Sequence, residues 1–165
     1  KGSQIGQAQV HSHGEIKRLV YNNHFITDHI GAFVKIGSYV VNLDNVNRFR
    51  TSDICYKDLT GPLSKLIGGV NPSRFNENYR GVVTVLSNYK EDVSSSGTII
   101  DVVPDLSKSY VHAHSNYYSV GGWCGAIVTI DQATVCGLHY HTDGKGDGNN
   151  FYPFTSELFD FLTKN

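Results

Sequence analysis

Cys124 stands between glycines in Gly121-Gly122-Trp123-Cys124-Gly125 and opens an apolar, β-branched run, Ala126-Ile127-Val128-Thr129-Ile130. A turn at Asp131-Gln132 leads into a second such run, Ala133 to His139. Glycines at a bend of this kind let backbone N–H groups converge on one point without a Cβ penalty. A thiol placed there has oxyanion donors beside it, which is what nucleophilic acyl transfer requires. The competing reading is a small buried cysteine among ordinary turn glycines.

A cysteine nucleophile needs a base, and the base needs an orienting partner. His29 is the favoured base, because His24-Phe25-Ile26-Thr27-Asp28-His29 reads as a short strand that would present it rigidly at a sheet edge. His24, at the start of that segment, is the rival; the Asn22-Asn23 pair before it reads as a hairpin turn and favours an exposed flanking residue. Asp53 heads another strand, Asp53-Ile54-Cys55-Tyr56-Lys57, and is the favoured acid. An aspartate there would accept from the far imidazole nitrogen and fix its tautomer. Asp44 and Asp58 are alternatives that read as solvated loop charges. His139 follows Cys124 across the hairpin, where a neutral imidazole could donate one N–H to a substrate amide carbonyl. Tyr117 or Tyr118 could hold that tautomer, and Ser119 could add a second contact. Cys136 reads as core.

The elements needed to position these groups are short strands. Residues 8–60 supply five or six of them, among them Ile16–Tyr21, Phe33–Ile36 and Tyr39–Leu43, the last two joined by the tight turn Gly37-Ser38. Residues 1–14 read as a polar arm outside the core. Residues 61–80 carry Gly-Pro, Gly-Gly and Asn-Pro turn chemistry and read as a linker, with a short helical turn at Leu63–Ile67. Further strands follow at Gly81–Ser87, Gly97–Val103, Tyr110–His114 and Phe151–Phe154, and a closing helix at Glu157–Leu162 with Ser156 as its N-cap. The expected organisation is an N-terminal β unit (1–60), a linker (61–80) and a C-terminal β unit (81–165).

Composition narrows the function classes. Ten Tyr, eight Phe and 17 Gly in 165 residues favour a β-rich chain. With 14 basic against 15 acidic residues, bulk attraction to nucleic acid or an anionic membrane is not indicated. A β-barrel that binds single-stranded RNA through exposed aromatics remains the alternative to an enzyme. No stretch approaches the roughly 18 apolar residues of a membrane span. Three unpatterned cysteines argue for a reducing compartment and a free thiol. The absence of methionine suggests excision from a longer polypeptide. No metal is expected: His11 and His13 lack partners, His139, His141 and Cys136 lack a fourth ligand, and Asp143 to Asp147 lacks the rest of a calcium loop.

Taken together, histidine, acid, cysteine bend and histidine resemble a chymotrypsin-like cysteine protease of the picornain class, the polyprotein-processing enzyme of positive-strand RNA viruses. Gly122-Trp123-Cys124-Gly125 matches that family's G-x-C-G motif and Gly137-Leu138-His139 its G-x-H motif. The segments ending in His29 and beginning with Asp53 resemble those that carry its base and acid. The resemblance implies an all-β fold of two packed antiparallel barrels, with the active site in the cleft and a short C-terminal helix. It implies Cys124 as nucleophile, His29 as base, Asp53 as acid, and an oxyanion hole from the N–H groups of Gly122, Trp123 and Cys124. His139, Ser119 and Tyr117 would line the pocket for a glutamine or glutamate before the scissile bond. It further implies viral polyprotein peptides as substrates in the host cytoplasm and no metal or organic cofactor. Some relatives bind viral RNA; Arg48-Phe49-Arg50 and Arg74-Phe75 are basic-aromatic pairs but read better as a solvated face.

Overall fold

The computed structural model describes residues 4–44, 46–49, 53–88, 94–105, 110–131, 134–142 and 149–164. In chain order it runs β1 (Gln9–His13), β2 (Ile16–Asn22), α1 (His24–Thr27), β3 (Phe33–Ile36), β4 (Tyr39–Asn42), β5 (Asn47–Arg48), β6 (Ile54–Leu59) and α2 (Pro62–Leu66). The second half holds β7 (Val82–Leu86), β8 (Ser94–Asp105), β9 (Tyr110–Ser115), β10 (Ile127–Ile130), β11 (Thr134–Thr142), β12 (Asn149–Pro153) and α3 (Ser156–Thr163). The fold is all-β with a short C-terminal helix, as expected.

In the first half, β1, β2, β6 and β5 form a four-stranded sheet, and β3 and β4 pair as a separate hairpin. In the second half, six antiparallel strands close into a barrel in the order β10-β11-β12-β9-β8-β7, with β7 and β10 sealing the ring. Closure removes the exposed sheet edge that would otherwise invite pairing with another chain.

Side-chain alternation distributes the apolar residues over three cores. Leu19, Tyr21 and Cys55 face inward on the first half, with Phe25 and Leu59. Their neighbours on the same strands, Val20, Ile54 and Tyr56, point the other way. They pack with Val135, Leu138, Tyr152 and Phe154 from β11, β12 and the residue after it, and with Leu158 and Leu162 of α3. The period-two geometry of strands thus makes β2 and β6 walls shared by two cores. The barrel interior is filled by Val83, Val85, Ala113, Tyr117, Trp123, Val128, Cys136 and Phe151, among others.

Four expectations change. The segment His24–His29 is not a strand: α1 begins at His24, and Asp28 and His29 lie in a bend after it. Asn22 ends β2, so no hairpin turn separates the two. Residues 7–13 do not stay outside the core, since β1 joins the sheet along β2 and Gln7, Gln9 and His11 are buried. Thr155, rather than Ser156, is the N-cap of α3.

The stretch from α2 to β7 threads between the halves. Val70 pairs with β1 through Ser12 N–H to Val70 C=O (2.8 Å) and Val70 N–H to Val10 C=O (2.8 Å). Further on, Ser73 N–H reaches Val135 C=O (2.7 Å) and Phe75 N–H reaches Phe154 C=O (2.8 Å). Arg18, on β2, ties α3 to the same sheet. Its guanidinium bonds Asp58 (2.7 Å) and the Leu162 carbonyl (2.9 Å) and lies over the Tyr56 ring.

Candidate active site

The β2–β6 register pairs Asn22 with Ile54, so the chain enters α1 directly opposite Asp53. Asp53 Oδ1 accepts the backbone N–H of His24 (2.7 Å) and Oδ2 accepts from His24 Nδ1 (2.7 Å). The first bond satisfies one of the N–H groups that a helix start leaves without an internal partner. The second fixes the ring, and Asn22 Nδ2 donates to the same Oδ2 (3.1 Å). The ring edge of Phe25 packs on His24 at 4.9 Å between centroids.

Burial pushes the His24 imidazole down, but the hydrogen bonds and charges of Asp53 and Cys124 outweigh it and raise its pKa to about 10. With Nδ1 committed to Asp53, Nε2 is the nitrogen left for the Cys124 sulfur. Cys124 Sγ also lies 3.3 Å from the Tyr140 carbonyl, to which a thiol would donate. It is half-buried, whereas Cys55 and Cys136 are fully buried with thiols pushed up to about 12 by burial.

His29, the expected base, lies apart from this arrangement. It is exposed in the bend beyond α1 and makes no hydrogen bond or ion pair with any described residue, whereas His24 holds both Asp53 and Cys124. The alternation read into the segment was imperfect, since Phe25 and Ile26 are adjacent apolar residues. That break was the available signal for a helical turn. Asp53 is where the sequence expected the acid. Asp44 and Asp58 have other partners, Lys57 (2.7 Å) and Arg18 (2.7 Å).

The cysteine bend holds its peptide planes through internal bonds. Trp123 N–H turns inward to Val120 C=O (3.2 Å), and Trp123 C=O accepts from Ala126 N–H (3.0 Å). The Cys124 N–H lies opposite the Trp123 carbonyl across one planar amide, so it points away from Ala126. Gly122 has φ +98° and Gly125 φ +92°, values that glycine tolerates without strain. The three N–H groups expected as oxyanion donors are not alike. Trp123 N–H is consumed in the turn, while the N–H groups of Gly122 and Cys124 have no acceptor among the described residues.

Behind this bend Tyr117, His139, Ser119 and Asn149 form a closed hydrogen-bond circuit. Ser119 Oγ donates to Asn149 Oδ1 (2.6 Å), so it offers a lone pair to His139 Nε2 (3.4 Å). Nε2 then carries the proton, and Nδ1 accepts from the Tyr117 hydroxyl (2.6 Å). Burial holds the Tyr117 phenol well above its ordinary pKa, so it stays a donor. Asn149 Nδ2 closes the ring on the Tyr117 carbonyl. Sequence reasoning had placed Tyr117, Ser119 and His139 together but missed Asn149, which sits beyond the glycine-rich loop. Backbone bonds from Gly125 N–H to His139 C=O (2.7 Å) and from His139 N–H to Ala126 C=O (3.0 Å) lock this group to the cysteine bend.

The alternative interfaces fare differently. Phe49 and Phe75 are buried and the Arg74 guanidinium covers Phe159, so the two basic-aromatic pairs present no free stacking face. Among the described residues no cluster of three His, Cys, Asp or Glu could hold a metal, and no helix is long and apolar enough to cross a membrane. Residues 143–148, which include Asp143 and Asp147, lie outside the described residues.

Neither a family model nor a curated protein matches the chain by sequence. Solved structures do match by shape. An HtrA-type protease AlgW with decapeptide superposes with a TM-score of 0.70 at 15% identity, covering 97% of this chain and 52% of that one. The protein described here thus spans about half the length of that neighbour. Tobacco etch virus protease complexed with product gives 0.60 at 15% identity, covering 89% and 67%. The NSP4 proteinase of equine arteritis virus gives 0.60 at 15% identity, covering 90% and 70%. The fold is the chymotrypsin-like double barrel.

Proposed function

We propose that the chain is a cysteine endopeptidase in which Cys124 is the nucleophile, His24 the proton carrier and Asp53 its orienting acid. The observation that carries this reading is the double engagement of His24 by Asp53, with the remaining ring nitrogen left to Cys124. With Nδ1 held by Asp53, His24 takes the Cys124 proton through Nε2. The thiolate attacks the scissile carbonyl, and the negative charge on its oxygen is met by the N–H groups of Gly122 and Cys124. The imidazolium gives its proton to the departing amine, leaving a thioester on Cys124. Water then attacks the thioester, losing its proton to His24, which returns it to the sulfur as the acid leaves.

For specificity, the His139 Nε2–H makes the longest contact of its circuit, 3.4 Å, and is the donor that a glutamine side-chain carbonyl would take over. Glutamine or glutamate before the scissile bond follows from this and from the G-x-H resemblance. A role in processing a viral polyprotein in the host cytoplasm is supported by the paired G-x-C-G and G-x-H motifs and by the viral proteases among the structures of the same fold.

Incubation with a peptide library, with cleavage positions read by mass spectrometry, tests the reading. Cuts after Gln or Glu that vanish in Cys124→Ala are expected. Turnover retained by Cys124→Ala, or an intact protein that neither cleaves nor reacts with iodoacetamide, would overturn it.

A further inference from the structure

Gln7, two residues ahead of β1, is buried, and a buried amide side chain needs partners for each of its polar atoms. Gln7 Nε2 donates to Ser87 Oγ (2.6 Å) and to the Gly122 carbonyl (3.3 Å), and its Oε1 accepts the Asn88 N–H (3.0 Å). The Gln7 backbone N–H donates to the Cys124 carbonyl (2.7 Å). A Cβ on Gly125 would stand 1.8 Å from the Gln7 carbonyl oxygen, so Gln7 fills the space which that glycine leaves open. One residue earlier, a Cβ on Gly6 would stand 2.1 Å from the Phe25 ring and 2.9 Å from the Cys124 carbonyl oxygen. Phe25 is the residue after His24 and packs on its ring. Gly6 and Gln7 therefore lie between the helix that carries the imidazole and the bend that carries the sulfur.

We propose that Gly6 and Gln7 are positioning residues for the reaction: Gln7 holds the bend that carries the oxyanion donors, and Gly6 sets the spacing between α1 and the cysteine bend. This rests on the protease reading above. Gln7 fixes the Gly122–Trp123 peptide plane from its carbonyl side while Val120 fixes the N–H side. With Gln7 truncated, that plane is held from one side only. When that plane rotates, it carries with it the two peptides on either side, Gly121–Gly122 and Trp123–Cys124, whose N–H groups are the oxyanion donors. Gly6 acts through bulk: any side chain there pushes Phe25, and with it His24, away from Cys124.

Two reactions of the same thiol separate these roles. Peptide hydrolysis needs both the thiolate and the oxyanion donors, whereas alkylation by iodoacetamide needs the thiolate alone. In Gln7→Ala, kcat should fall roughly 10- to 100-fold, below the 10²–10³ seen when an oxyanion donor is removed outright. KM and the alkylation rate should match wild type. In Gly6→Ala, alkylation at neutral pH should slow together with kcat, because the imidazolium no longer adjoins the sulfur. Wild-type kcat in Gln7→Ala overturns the proposal and leaves the protease reading intact. So does a parallel loss of kcat and alkylation in Gln7→Ala that follows the folded fraction measured by circular dichroism. A wild-type protein inert in both reactions takes the protease reading down as well.

Discussion

Asp53 grips His24 at two points, one oxygen on the backbone N–H and the other on ring Nδ1, both at 2.7 Å. One carboxylate therefore sets where α1 begins, how the ring is turned and which nitrogen faces the sulfur. Because Asn22 also donates to Asp53, the last residue of β2 contributes to the same constraint (3.1 Å). The imidazole is held by the sheet itself rather than by a loop.

Asp53→Asn removes one source of the upward pull on His24. Burial, the largest influence and a downward one, then counts for more, and the imidazolium gives up its proton at lower pH. The His24 titration followed by NMR should move well below the value of about 10 in the parent protein. The sign for stability follows from the same shift. A folded pKa above the unfolded 6.5 contributes stability that is complete below pH 6.5 and lost as pH rises toward 10. The decline in melting temperature over that alkaline window should be shallower in the variant. An unchanged His24 titration would count against Asp53 as its orienting partner.

Tyr117→Phe leaves His139 Nδ1 without its donor inside a closed circuit. A buried acceptor left unpaired costs about 1–3 kcal/mol, and the imidazole is then free to change tautomer. Competition assays between peptides carrying Gln and Ala before the scissile bond should show the Gln preference reduced about tenfold, or about 1.4 kcal/mol, toward the lower end of that range. Alkylation of Cys124 should proceed as in the parent, since the thiol is not in this circuit. Full retention of selectivity would separate Tyr117 from substrate recognition.

His11 is buried on β1 with Nε2 against Gln9 Oε1 (2.8 Å), and burial, with the nearby Arg18 charge, depresses its pKa to about 3. A folded pKa below the unfolded value gives stability that is present above pH 6.5 and lost as pH falls toward 3. Urea unfolding across this acid range should show a slope of about one proton, roughly 1.4 kcal/mol per pH unit, attributable to His11. His11→Gln should remove that component. If both proteins lose stability in parallel, His11 does not govern the acid limb.

Arg18 is a buried cation with three partners, Asp58, the Leu162 carbonyl and the Tyr56 ring. Asp58→Ala strands its charge, and breaking such a pair costs roughly 3 kcal/mol. Arg18→Lys keeps the charge but loses the planar fork, so it should also unfold at lower urea. Equal urea midpoints for Asp58→Ala and the parent would show that α3 docks without this tie.

Much of the fold was legible because it rests on local signals. β2, β3, β4, β6, β7 and α3 lie where alternation, turn glycines and a helical apolar face put them. Asp53, Cys124 and the grouping of Tyr117, Ser119 and His139 were legible because each sits on or beside a strand with a strong pattern. The exchange of His29 for His24 has a tertiary cause: a four-residue helix has almost no periodicity to read, and what starts it is a carboxylate distant in sequence. Asn149 and the buried Gln7 were illegible for a related reason. Polar residues in loops and arms read as solvated, and only their partners across the molecule reveal them as structural.

β2 and β6 are clad on both sides, one face in the first half and the other against β11, β12 and α3. Neither half can melt without stripping a wall from the other, so the molecule should behave as one cooperative unit despite its two-part appearance. The meeting of imidazole and thiol is then not a hinge between independent bodies. It is a seam in a single solid, and the two groups meet there already aligned.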